Sequence, residues 1–326
     1  MAILIRGKLY SSWKEAESSS SIFRSEIRTF DGRVSQSEDA DFKLSAGRYR
    51  LIAGYGDPWS HRVLIVRALK QLEDIVPLTI IDPMMTKQGW VFSEQDRKKG
   101  EGIYSHKYLH ELYRCSDLLF TGRISVPLLW DSKTERIVNN ESYEITHMLN
   151  EAFSPLASGG LDLYPQGLAS EIDHLSNFIL NNINNGVYKV GFAPNQKVYK
   201  KSVDALFVAL DDLEARLATS RYLVADQLTM ADVCLFTTLL RFDLIYYPYL
   251  KCNYKRLQEY ANLWGYTKDI YHLPGIAETV KTDSIMSTYY GLDYLNPSQV
   301  IPSPPNVCFG EAVEVMPYEV YSAPLS

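Results

Sequence analysis

Gly56-Asp57-Pro58-Trp59-Ser60-His61-Arg62 has the form of a catalytic strand-to-helix turn. Just upstream, Arg48-Tyr49-Arg50-Leu51-Ile52-Ala53 reads as a short strand, and downstream Val63 to Leu72 is apolar enough for a helix buried over most of its surface. Pro58 suits the first helical position, where its missing N–H is not needed. Asp57 before it is a good N-cap whose carboxylate can accept the free amides of the first turn.

Outward from that turn, a β-rich run follows at Pro77-Leu78-Thr79-Ile80-Ile81, then a long insert to Phe120. Next come a strand at Val126 to Trp130, a short strand near Ile137-Val138, and a helix from about Glu141 to Phe153. Strand, helix, strand, then two strands and a helix is the order of a thioredoxin-like half. Beyond Leu163-Tyr164-Pro165 the pattern turns helical, with long apolar-periodic stretches over Ala169 to Asn182, Lys197 to Thr219, Thr229 to Tyr246 and Lys255 to Tyr271. The best-marked start is Leu228-Thr229-Met230-Ala231-Asp232-Val233, where Thr229 caps, Asp232 returns a bond, and Leu228 with Val233 forms an apolar staple. The fold class expected is α/β plus all-α: a thioredoxin-like domain over 48–160, then a helical domain over 161–305. Before them lies a polar, Ser-rich extension over 1–47 that wraps or frays, and after them a tail over 306–326 led in by a Pro-rich stretch.

Composition limits the function classes. The 326 residues suit two domains, and 46% hydrophobic with 22% charged residues is ordinary for a soluble globular chain. A net charge of −6 without a basic run argues against nucleic acid as a partner. The opening Met1-Ala2-Ile3-Leu4-Ile5-Arg6-Gly7-Lys8 is too short for a signal-peptide core, and no run reaches a membrane span, so a cytoplasmic location is expected. Cys115, Cys234, Cys252 and Cys308 are widely spaced and read as reduced thiols. His106 and His110 could share a helix face, but no third ligand is evident and no metal is expected.

The turn resembles the active-site turn of the Xi-class glutathione transferases, the glutathionyl-hydroquinone reductases, whose pattern is Cys-Pro-Trp-Ala-His-Arg. Gly89-Trp90-Val91-Phe92, Gly122-Arg123-Ile124-Ser125-Val126-Pro127-Leu128-Leu129-Trp130, Ile137-Val138-Asn139-Asn140-Glu141-Ser142, Asn184-Asn185-Gly186-Val187-Tyr188-Lys189-Val190-Gly191-Phe192-Ala193 and Arg241-Phe242-Asp243 resemble that family's segments in its order, so the similarity runs from about Arg48 to Pro305. The resemblance implies glutathione as a bound co-substrate. Glu141 and Ser142 would hold its γ-glutamyl end, Trp90 and Arg123 would contact it, and Val126-Pro127 matches the cis proline whose preceding backbone pairs with a thiol peptide. Read without the family, Ser142 caps its helix, Trp90 is a core residue and Arg123 a surface guanidinium. The resemblance places a small aromatic or quinonoid substrate between the domains, against Tyr188 and Tyr289, and implies a homodimer. Where the family reads His-Tyr-Tyr this chain has Thr288-Tyr289-Tyr290, which removes polarity from that pocket.

At the family's cysteine position stands Asp57. In the family a low-pKa cysteine attacks the sulfur of a glutathionylated hydroquinone, and free glutathione resolves the mixed disulfide. A carboxylate has no sulfur for that intermediate. At ~4 Å and an effective dielectric near 20 it disfavours a neighbouring thiolate by about 4 kcal/mol, roughly three pKa units. Two arrangements escape the penalty. Asp57 turns into its own helix as a cap and leaves Tyr55 or Ser60 to bond the sulfur, or Asp57 acts as a general base on a substrate proton. Three functions follow: glutathione transfer to an aromatic or quinonoid electrophile; a lyase, isomerase or cyclase using Asp57 as base; and a non-catalytic protein that binds glutathione or another ligand.

Overall fold

The computed structural model describes residues 2–12, 15, 27–100, 102–292 and 295–304; the serine run at 18–21, Cys308 and the tail from 305 onward lie outside the described residues. The N-terminal segment builds regular structure that periodicity does not reveal. β1 (Ile3–Ile5) pairs antiparallel with β2 (Lys8–Tyr10), while β3 (Val34–Ser35) runs parallel to β4 (Phe42–Lys43). Strands of two or three residues are too short to show a period, yet Ile3, Leu4 and Ile5 are all buried.

β5 (Tyr49–Ala53) leads through the Gly54–Asp57 turn into α1 (Pro58–Leu69) and returns as β6 (Leu78–Ile80), parallel to β5. The insert carries α2 (Glu94–Arg97), a 3-10 turn (Gly102–Ser105) and α3 (Leu109–Ser116) before the short β7 (Gly122–Arg123), which joins the β1–β2 sheet. β8 (Leu128–Asp131), β9 (Arg136–Asn139) and α4 (Ser142–Asn150) complete the half, giving a four-stranded sheet in the order β6-β5-β8-β9 with antiparallel β5–β8 and β8–β9 pairs. This is the thioredoxin-like arrangement.

The helical half follows: α5 (Ala169–Ile179), α6 (Gly186–Gly191), α7 (Gln196–Leu217), α8 (Met230–Arg241), α9 (Ala261–Tyr271) and α10 (Thr282–Tyr290). α5 and α8 each run on into a π turn, Leu180–Asn184 and Phe242–Tyr246. The capping box at α8 forms as its sequence requires. Asp232 accepts the Thr229 amide at 2.7 Å, and it also takes the Leu223 amide at 3.0 Å and the Tyr266 hydroxyl at 2.9 Å.

The stretch expected as a helix from Lys255 is broken instead, with a 3-10 turn at Leu257–Glu259 and α9 starting at Ala261. The reason is tertiary. The Asp243 carboxylate takes the Leu257 and Gln258 amides, and Glu214 of α7 takes the Asn262 and Leu263 amides at 2.9 and 2.7 Å, so a distant carboxylate caps the helix.

A continuous apolar core crosses from β5 and α1 into α5, α7 and α8. α1 packs on α4 on one side and α8 on the other, and Val63, Leu64, Ile65 and Val66 are all buried, which explains why its sequence is apolar on nearly every face. Among the described residues no helix is long and apolar enough to cross a membrane.

Candidate active site

The site grows from the N-terminus of α1. Asp57 has extended backbone angles, and its Oδ2 accepts the Ser60 amide at 2.6 Å, which is the cap geometry. Asp57 is half-buried. Burial pushes its carboxyl up to about 6, against the opposing pull of the Ser60 amide and hydroxyl and of the Arg241 and Arg62 cations. The Ser60 hydroxyl, though close enough to draw on the carboxylate, is buried and makes no hydrogen bond of ordinary geometry with a described residue.

The turn is clamped by Arg241 at the end of α8. Its guanidinium, fully buried, donates to the carbonyls of Gly56 (3.2 Å), Tyr55 (3.0 Å) and Thr237 (2.9 Å) and to Nδ1 of His61 (3.0 Å). Because Arg241 only donates, His61 Nδ1 must accept, so the ring proton sits on Nε2. Nε2 then donates to Thr279 Oγ1 at 2.8 Å, and Thr279 passes its own proton to the Ile276 carbonyl at 2.6 Å. His61 is thereby fixed as the neutral imidazole, and burial with the Arg241 charge holds its pKa well below the usual value. It is a strut and carries no spare proton. Arg62 behaves alike: it bonds Asn184 Oδ1 at 2.5 Å and covers the Trp59 ring at 4.4 Å.

Helix α10 closes over the turn. A Cβ at Gly56 would lie 1.9 Å from Thr288 Oγ1 and 2.7 Å from the Ser284 carbonyl, so glycine is required for the helix to approach this closely. Thr288 donates to the Pro83 carbonyl at 3.0 Å, which makes it a tether. The next residue, Tyr289, is buried, and its hydroxyl lies 2.7 Å from that of Tyr188 and 3.0 Å from that of Tyr246. The two sequence-predicted tyrosines therefore meet, with a third beside them.

Of the other predicted residues, Val126-Pro127 is a cis peptide, and among the described residues the Val126 amide and carbonyl make no hydrogen bond. The position is next to the turn, since a Cβ at Gly54 would stand 3.7 Å from Val126 Cγ2. Glu141 is the exposed N-cap residue of α4, its amide held by Asn139 Oδ1 at 2.8 Å and its own carboxylate left unused as a cap, while Ser142 is buried in the first turn. Trp90 is buried and Arg123 is exposed. Tyr55 gives the site only its backbone: its ring lies beside Lys281, with the ammonium 5.9 Å from the centroid, and its phenol is felt by Arg67 in the last turn of α1. Ser60 lies in the first turn of α1 with its hydroxyl buried.

Comparison with known proteins agrees with the two-domain fold. The models of the glutathione S-transferase N-terminal and C-terminal domains match residues 58–152 and 196–269. Glutathionyl-hydroquinone reductase YqjG of Escherichia coli is 40% identical over 310 residues, covering 92% of this chain and 94% of that one. PcpF of Sphingobium chlorophenolicum, also a glutathionyl-hydroquinone reductase, is 38% identical over 306 residues, covering 94% and 96%. The chain belongs to the Xi-class glutathione transferases. Among solved structures, the Xi-class transferase of Natrialba magadii superposes with a TM-score of 0.89 at 39% identity, covering 95% of each chain. Glutathione-bound YqjG superposes at 0.82 and 37% identity, covering 93% of this chain and 95% of that one.

In this Xi-class chain sequence reasoning missed two side chains of the site, Arg241 as the clamp and Tyr246 as the third phenol. Arg241 was visible as the head of the Arg241-Phe242-Asp243 motif. Tyr246 follows in the π turn, where the widened turn sets it against Tyr188 and Tyr289 and no helical period points to it.

Proposed function

We propose that the protein is a glutathione-dependent enzyme acting on a small aromatic or quinonoid electrophile, without the cysteine-dependent reductase step of its relatives. The observation that carries this reading is the carboxylate at the start of α1: Asp57 occupies the cap position, and among the described residues no thiol replaces it. Of the cysteines described, Cys115 is exposed on α3, Cys234 is buried on α8, and Cys252 is buried with its thiol directed at the Val187 and Leu250 carbonyls. A carboxylate forms no disulfide. Glutathione binding is supported by the unspent Val126 backbone beside the turn, by Glu141 and Ser142 at the head of α4, by Trp90 and Arg123, and by the glutathione-bound structure of YqjG. In this reading the protein works as a cytoplasmic homodimer and needs no metal.

The test is an assay of wild type and Asp57→Cys on a glutathionylated hydroquinone. Wild type should show no turnover, and the cysteine variant should gain some, because a helix N-terminus flanked by Arg62 and Arg241 lowers a thiol pKa. Appreciable wild-type reduction would overturn the reading. Titration calorimetry with glutathione accompanies it, and absence of binding at millimolar glutathione would pass the lead to the second reading, an acid–base enzyme such as a lyase, isomerase or cyclase. One observation favours that reading: a carboxyl titrating at about 6 is matched to proton transfer near neutral pH.

A further inference from the structure

Tyr113 of α3 is fully buried, yet its hydroxyl serves a loop outside its own helix. The phenol oxygen lies 2.9 Å from the Ser125 carbonyl oxygen, 3.2 Å from the Ser125 amide and 3.5 Å from Asn140 Nδ2. Each partner has a single role. A carbonyl only accepts, so Ser125 takes the one phenol proton, while the two N–H groups only donate and fill the oxygen's lone pairs. Asn140 Oδ1 is already taken by the Phe30 amide at 2.9 Å, which leaves Nδ2 for Tyr113. Burial raises the phenol above its ordinary value, so its proton stays in place. Phe30 and Phe120 pack on the ring, with centroids 5.8 and 5.0 Å away, and fix the direction from which the hydroxyl reaches the loop.

Holding the Ser125 carbonyl sets the direction of the next N–H. A trans peptide is planar, and its C=O and N–H point opposite ways. Among the described residues the cis peptide is Val126-Pro127, so Ser125-Val126 is trans. The Val126 N–H therefore points away from the Tyr113 hydroxyl, and it has no partner among the described residues. We infer that Tyr113 is a positioning residue for a bound peptide: its hydroxyl holds the Ser125-Val126 peptide plane so that the Val126 N–H meets a peptide carbonyl of the ligand. The inference rests on the proposal that Val126 pairs with glutathione, and it adds a residue from the insert that touches no ligand. Glu141 is independent of this grip. Its amide is held by Asn139, and without the phenol Asn140 keeps both of its bonds to Phe30.

The experiment is titration calorimetry with glutathione on the full chain, comparing wild type, Tyr113→Phe and Ser116→Ala. The first variant keeps the ring and its packing. The second costs the same helix its bond to β9, from the Ile137 amide to Ser116 Oγ at 2.8 Å, and leaves the loop alone. Tyr113→Phe should bind glutathione about threefold to tenfold more weakly, and Ser116→Ala as tightly as wild type. Wild-type affinity in Tyr113→Phe, or equal losses in the two variants, would overturn the inference. Should Tyr113→Phe fail to fold, amide hydrogen exchange of wild type decides. The Ser125 amide should exchange slowly with and without glutathione, and the Val126 amide should slow only when glutathione is added. A Ser125 amide as fast as that of Val126 without glutathione, or a Val126 amide unmoved by saturating glutathione, overturns the inference. Glutathione that fails to bind wild type sinks the glutathione proposal and this inference with it, a result distinct from a variant that binds as tightly as wild type.

Discussion

Asp57 is asked to cap a helix and to face a ligand with the same carboxyl group. The two roles separate by substitution. Asp57→Asn keeps an acceptor for the Ser60 amide, whereas Asp57→Ala removes it and should cost ~0.5–2 kcal/mol in denaturant unfolding. A general base needs a titrating group, so Asp57→Asn should abolish turnover under the acid–base reading and spare it if Asp57 only caps. The pH dependence adds a check with a definite sign. The folded carboxyl titrates at about 6 against an ordinary 3.8, so the folded state holds a proton that the unfolded state releases. Stability from this group is full below about pH 4 and is lost as pH rises through 6, by on the order of 1–2 kcal/mol given its partial exposure. Melting temperatures of wild type and Asp57→Asn should therefore diverge between pH 4 and 6 in favour of the asparagine variant; parallel curves would count against a raised pKa. The same titration bears on glutathione, since below about pH 6 the carboxyl is neutral and its repulsion of a thiolate vanishes.

At the scale of elements, α1 and α8 are joined by side chains rather than by chain connectivity. Arg241→Lys keeps the charge but cannot reach three carbonyls and a ring nitrogen from one planar fork. It should destabilise the protein by about 2–4 kcal/mol and free the His61 tautomer, visible as altered imidazole nitrogen shifts by NMR. An unchanged unfolding midpoint would contradict the clamp. Much of this level was legible in the sequence: Asp57-Pro58 marked the start of α1, and Thr229 with Asp232 that of α8. What escaped has a physical cause in each case. α9 is capped by Glu214 from another helix, so no local signal marks Ala261, and the apolar period alone points to Lys255. β1 is three residues long, too short to show a period, and besides its neighbour β2 it pairs with β7, more than a hundred residues away. Tyr55, flanked by glycines, offers a hydroxyl in sequence, but its carbonyl serves Arg241 while its ring lies beside Lys281. The candidate glutathione positions are legible as strings because they lie in short contiguous motifs; the phenol cluster is not, because it draws on α6, α10 and a π turn.

On the scale of the whole molecule, the two halves share a core and a set of buried polar links: His61 to Thr279, Arg62 to Asn184, Lys70 to the Leu161 carbonyl, and Arg241 to the turn. They should unfold together. Trp59, Trp90 and Trp130 stand in the sheet half and Trp264 on α9, so tryptophan fluorescence weights the sheet half and far-UV circular dichroism the helical half, and the two signals should give coincident denaturation curves. Two separated transitions would show that the halves are independent. This joint bears on the unknown substrate in a practical way. Asp57, Tyr188, Tyr246 and Tyr289 of the candidate site belong to both halves, so the site has no stable existence once either half melts. A compound that occupies it is held only by the intact fold, and stabilises the entire chain by an amount that grows with the logarithm of its concentration over its dissociation constant, about 2.7 kcal/mol at a hundredfold excess. The protein is thus its own detector: a library of phenols, quinones and enones, scanned by melting temperature with and without glutathione, ranks candidate substrates before any reaction is known, and a shift that appears only when glutathione is present marks the compounds that share the cleft with it.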